Sequence, residues 1–224
     1  FFGYPSFHQI PFIVNFFKKI KFIPFVHYFL KVILILISKI TGNFKWKLLN
    51  KNAENIYLAY WIRRGLFTVD EINFFSKKNI TEEFLKKFLK NITGKLPIKQ
   101  NISVGQMEST LYMRNQLLRD ADWASMYHSV ELRTPLVDTF LLKELSSVLE
   151  SFSRFKGKKL LANSPNDPLD EIIINSSKTG FSIPISKWIK KVSSISDFKE
   201  ISYLSNKNVG LKHLAFYLSK KIYD

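Results

Sequence analysis

The stretch Glu108-Ser109-Thr110-Leu111-Tyr112-Met113-Arg114-Asn115-Gln116-Leu117-Leu118-Arg119-Asp120-Ala121-Asp122-Trp123-Ala124-Ser125-Met126-Tyr127-His128-Ser129 is rich in good helix formers and has no Gly or Pro, which predicts one helix across it. Its residues sort onto two faces. Met113, Leu117, Ala121 and Ala124 recur at spacings of four and three on one side, and Asn115, Arg119 and Asp122 keep the same rhythm on another. The first side is expected to bury and the second to present polar groups. Arg119 and Asp122 stand at i and i+3, so they read either as a helix-stabilising pair worth roughly a few tenths of a kcal/mol or as part of a polar site.

Downstream comes Glu131-Leu132-Arg133-Thr134-Pro135-Leu136-Val137-Asp138, where Thr134 must be extended because Pro135 follows it. In an extended run Glu131 and Arg133 point to one face, so they either pair with each other or share a ligand. Their place before an apolar turn is one where burial is expected, and a buried charge needs a partner or a task. Asp138 is placed to cap a helix over 139–150, and Asp167 with Pro168 to start another toward Ser176. Next is Lys178-Thr179-Gly180-Phe181-Ser182-Ile183-Pro184, a lysine followed by a glycine hinge. Acyl-phosphate and polyphosphate chemistry suits such a mobile cation, and Gly180 lets backbone approach a ligand. Against that stands the plain reading of one surface lysine among 28. Pro184 opens a last amphipathic piece containing Trp188 and Ile189.

Upstream, helices are predicted over 10–20, 24–41, 45–64 and 69–77, broken near Pro24, Gly42 and Gly65, with Thr68 and Thr81 as caps. Few segments alternate like strands, so the fold class is mainly α. Residues 22–37 are the most apolar, but Pro24, His27 and Lys31 interrupt them and the pure apolar run is six residues. A bilayer needs about 18 to 20, so no transmembrane segment is expected and this piece reads as a buried or interfacial helix. The chain starts at Phe1 without Met or a signal peptide, from which it is expected to begin inside a longer protein.

The net charge of +16 raises two rivals, a membrane-associated basic helical protein and a basic nucleic-acid-binding module. Only six of the 34 basic residues are Arg, the residue that reads bases and phosphates bidentately, so a lysine-coated solvated surface is the better account and no nucleic-acid partner is expected. The absence of Cys excludes disulfides, thiolate nucleophiles and thiolate metal sites, and fits a reducing cytoplasm. His8, His27, His128 and His213 make no chelating pair, so no metal ligands are assigned.

Together, the run from Tyr112 to Asp138, the lysine loop at 178–181 and the opening Phe2-Gly3-Tyr4-Pro5-Ser6-Phe7 resemble, in order and spacing, the C-terminal synthetase domain of the glutamine-hydrolysing asparagine synthases. The resemblance runs from residue 1 to about 190. It implies the helical C-terminal part of an adenine-nucleotide α-hydrolase-like (ATP-pyrophosphatase) synthetase domain with the parallel sheet largely missing, over residues 1–195, and a helical tail over 196–224. It further implies a ligase using ATP with Mg2+, which adenylates the aspartate side-chain carboxylate and transfers glutamine-derived ammonia to it in amino-acid biosynthesis. A glutaminase domain would precede it, and a homodimer is one assembly open to the complete enzyme. By the same likeness Lys178 stabilises charge on the adenylating phosphates, Glu131 lies at the acceptor-amine side, Arg119 and Asp122 hold the pocket wall, Arg133 orients Glu131, and Gly180 belongs to the lysine loop. Ala162 and Ser176 depart from the family, which commonly carries Arg at both places. No Ser-Gly-Gly-x-Asp-Ser loop and no Cys occur here, so this chain alone is expected neither to hydrolyse glutamine nor to bind ATP well.

Overall fold

The computed structural model describes residues 4–41, 45–148, 159–177, 184–185, 187–188 and 209–223. Among them are helices, turns and no strand, as the sequence pattern predicts. The chain divides into two compact units, one formed by residues 1–11 and 88–178, the other by 12–87 and 179–224.

Helix α1 (Ser6–Ile20) starts four residues before the predicted position and carries Pro11 inside it. The reason is its buried stripe: Phe7, Ile10, Val14 and Phe17 recur at spacings of three and four and are all buried, and that burial outweighs the backbone hydrogen bond lost at Pro11. Helix α2 (Pro24–Thr41) has the predicted bounds. In place of one helix over 45–64 there are two, α3 (Lys45–Asn52) and α4 (Ile56–Arg64). Asn55 causes the break, because its side chain accepts hydrogen bonds from Tyr57 N at 3.0 Å and Leu58 N at 3.3 Å and so starts a new helix. Phe17, Leu34, Leu49 and Ala53 form a buried cluster, with Ile13, Leu30 and Ile62 packed around it.

Helix α5 (Val69–Ser76) opens with a full capping box. Glu71 N donates to Thr68 Oγ1 at 3.2 Å, and Thr68 N donates back to Glu71 Oε2 at 2.7 Å. Thr81 caps α6 (Glu82–Thr93), accepting from Phe84 N at 3.1 Å. Asn73 closes the loop between α5 and α6, donating to Ile80 O at 2.8 Å and accepting from Ile80 N at 2.7 Å.

The stretch predicted as one helix over 108–129 is one continuous rod, but not one regular helix. It begins earlier, as α7 (Gln100–Met107), widens into a π-helix over Glu108–Leu118, and tightens again into α8 (Arg119–Met126). A π-helix pairs i with i+5 and turns less per residue than an α-helix, so eleven residues of it shift the register by on the order of half a turn. The predicted apolar face is not a buried one, and neither is any other face over residues 109–129: Leu117 and Ala124 are exposed, and Met113 and Ala121 are half-buried. Burial lies upstream, at Ser103, Val104, Met107 and Glu108. After a short 3-10 turn (Pro135–Val137), Asp138 caps α9 (Thr139–Leu145), accepting from Leu141 N at 2.8 Å. That helix is shorter than predicted because Ser146 Oγ takes the Lys143 carbonyl at 2.6 Å. Beyond α10 (Lys159–Ala162), helix α11 (Glu171–Ile174) is capped by Asp170 rather than Asp167. Leu169 N donates to Ala162 O at 3.1 Å, which holds Pro168 in a loop folded back on α10. Helix α12 (Val209–Tyr223) closes the second unit, with Phe216 at 5.0 Å from Phe75, ring centre to ring centre.

Candidate active site

The rod from α7 to α8 carries the first pair of predicted site residues. Arg119 does not pair with Asp122 as the i, i+3 spacing predicts. Its guanidinium lies over the Trp123 ring, 4.4 Å from the centroid, so the aromatic face four residues on has taken the cation. Asp122 keeps an exposed carboxylate, and its backbone carbonyl accepts from Ser125 Oγ at 3.1 Å.

Glu131 and Arg133 pair with each other. Arg133 Nε donates to Glu131 Oε1 at 3.1 Å, and Nη2 donates to Oε2 at 3.4 Å. This fork-to-fork geometry fixes the plane of the carboxylate, which is what an orienting arginine does. The expected burial is absent: the side chains are 71% (Glu131) and 83% (Arg133) exposed. No residue from 109 to 148 is buried, so nothing among the described residues covers this edge. Arg119, Asp122, Glu131 and Arg133 are thus all exposed residues of the first unit, in two local groups, while Lys178 and Gly180 lie outside the described residues.

The second unit holds a charged cluster that sequence reading missed. Lys212 on α12 donates to Glu71 Oε1 at 2.5 Å, with side chains only 5% and 3% exposed. Lys212 also sits 5.7 Å from the Phe67 ring centre. Lys45 donates to the Gly65 carbonyl. Burial holds the Lys45 amine below its ordinary pKa, Lys212 and Arg63 push the same way, and Glu71 opposes them. The Thr68-x-x-Glu71 spacing was a visible signal for the cap, but nothing in it points to a lysine 141 residues away.

No group of three or more His, Asp or Glu side chains that could hold a metal by themselves occurs among the described residues. Nor is any described helix long and apolar enough to cross a membrane.

The family model for asparagine synthase matches residues 1–206. The chain belongs to the asparagine synthase family. The match takes in the run from Tyr112 to Asp138, the lysine loop and the opening segment. A curated relative, asparagine synthetase [glutamine-hydrolyzing] 1 of Bacillus subtilis (strain 168), is 32% identical over 81 residues, which is 35% of this chain. The chain covers 13% of that asparagine synthetase's length. No solved structure matches the chain.

Proposed function

We propose that this asparagine-synthase-family chain contributes the acceptor-side helical part of an ATP-dependent amidoligase. Residues 1–195 are the C-terminal part of an ATP-pyrophosphatase-type synthetase domain, and 196–224 are its helical tail. In the complete enzyme an aspartate side-chain carboxylate oxygen attacks the α-phosphorus of ATP and pyrophosphate leaves. Ammonia released from glutamine then attacks the acyl carbon, AMP leaves, the nitrogen loses a proton, and asparagine forms. The family match over residues 1–206 carries this reading, because it spans all three motifs in their order.

Within it, Glu131 stands at the acceptor-amine side and Arg133 orients it; the two-point hydrogen bonding between them supports that division of roles. Arg119 and Asp122 hold the pocket wall, Lys178 stabilises charge on the adenylating phosphates, and Gly180 lets backbone approach the ligand. Magnesium enters as a companion of ATP in the family. Two measurements test the proposal. In the enzyme containing this chain, Lys178→Ala lowers kcat/KM by about two orders of magnitude, the ~3 kcal/mol typical of one preorganised electrostatic contact. Unchanged turnover would remove Lys178 from the mechanism. The isolated 224-residue chain binds ATP weakly, and micromolar affinity would contradict the assignment of the nucleotide loop to another part of the enzyme.

A further inference from the structure

Helix α2 carries apolar side chains on two opposite sides, with Lys31 and Lys39 among them. Leu30, Leu34 and Ser38, four residues apart, face the core, where Leu34 and Ser38 are buried. On the opposite side Phe25, Phe29, Val32, Leu36 and Ile40 recur at spacings of four and three and stand in solvent, from 42% exposed at Val32 to 83% at Ile40. Phe22 and Ile23 extend the exposed apolar surface at its N-terminal end, and Phe12 and Phe16 stack on the solvent side of α1 with ring centres 6.0 Å apart. An apolar stripe of this length facing water marks an interaction surface.

Charge selects what covers it. Residues 1–53 contain eight Lys and not one Asp or Glu, half of the net +16 of the whole chain. Lys18, Lys19, Lys31 and Lys39 are exposed on α1 and α2, while Lys21 is held by Glu54 at 2.8 Å. A second copy would set these exposed lysines against their own counterparts, and like charges repel at close range. Anionic lipid headgroups complement them. Aromatic and branched side chains on one face with lysines beside them are the composition of a helix lying in a membrane interface. At 18 residues α2 is about 27 Å long, and it is neither long nor apolar enough to span.

We propose that the outward face of α2 docks the chain on an anionic lipid surface, with Phe25, Phe29, Val32, Leu36 and Ile40 inserted at headgroup depth and the lysines of α1 and α2 on the phosphates. This docking does not depend on amide formation. The test is flotation of the full 224-residue chain with phosphatidylcholine vesicles, with or without about 30% phosphatidylglycerol. The chain floats with the anionic vesicles, stays down with the neutral ones, and detaches as salt rises. Phe29→Ser/Leu36→Ser, both on the water-facing side, keeps its helical circular dichroism and loses at least about tenfold in vesicle binding. Lys31→Gln/Lys39→Gln, which removes no apolar contact, weakens binding to anionic vesicles severalfold and serves if the serine variant misfolds. A chain that stays down with anionic vesicles, or floats equally with neutral ones, overturns the proposal. So does a dimer in sedimentation that the serine variant splits, since the face would then belong to a second copy.

Discussion

Replacing Lys212 by Met tests the buried charges of the second unit. The Glu71 carboxylate makes two contacts, Oε1 with Lys212 Nζ at 2.5 Å and Oε2 with Thr68 N at 2.7 Å. Met keeps most of the lysine stem's volume but leaves a carboxylate charge that is almost wholly out of water without its cation. Stranding one partner of a buried pair costs about 3–5 kcal/mol, and the lost contact with the Phe67 ring lies within that figure. Glu71→Leu strands the lysine instead and also removes the capping bond, so it costs about 1 kcal/mol more. The double variant Glu71→Leu/Lys212→Met buries no charge. It loses only the cap and returns to within about 2 kcal/mol of the wild type, because replacing a whole buried pair by apolar side chains is often neutral. In urea unfolding followed by circular dichroism, with a slope near 2 kcal/mol/M, Lys212→Met lowers the midpoint by roughly 2 M, and the double variant restores most of it. A Lys212→Met chain within about 1 kcal/mol of the wild type, or a double variant weaker than either single one, would refute this account of the cluster.

Lys45 supplies a pH test. Burial lowers its pKa in the folded chain, so in the window below 10.5 the unfolded chain binds the extra proton and stability rises with pH as the folded amine discharges. Lys45→Met abolishes that rise, which shows as a wild-type-minus-variant stability that climbs as the pH approaches 10.5 from below. Gly65→Ala destabilises by about 1–3 kcal/mol in thermal or urea unfolding. The added Cβ would stand 2.6 Å from the Trp61 carbonyl oxygen and 2.9 Å from its ring, while a φ of −58° suits alanine, so the penalty is steric. Glu131→Gln changes stability by less than about 1 kcal/mol, as expected for a solvent-exposed pair, yet lowers kcat/KM in the complete enzyme; a parallel loss of both would make Glu131 a structural residue.

Local chemistry was readable from the sequence wherever neighbours along the chain decide the outcome. The bounds of α2, the caps at Thr68, Thr81 and Asp138, and the pairing of Glu131 with Arg133 all depend on residues within a few positions of one another. The break at Asn55 was within reach on the same grounds, since Asn is a strong capping residue. The π-helical widening was not legible: Glu108–Leu118 has the composition of an ordinary helix, and an i to i+5 ladder leaves no mark in residue type. The expected burial of Leu117 and Ala124 failed for a different reason: no residue from 109 to 148 is buried, whichever face it lies on. At the site, the partner of Glu131 could be read but its exposure could not, because burial depends on what the rest of the polypeptide lays over it. The pair between Glu71 and Lys212 lay beyond any periodicity, since no pattern connects α5 to a helix so far along the chain.

That distance sets a schedule for biosynthesis. At about 5–20 residues per second, a ribosome that has made Glu71 adds Lys212 roughly 7 to 28 s later. Until then the capping box can form, but its glutamate lacks the lysine that pairs with it in the folded unit. The arrival of α12 completes the buried pair, so this cluster can close only after nearly the whole chain has been made.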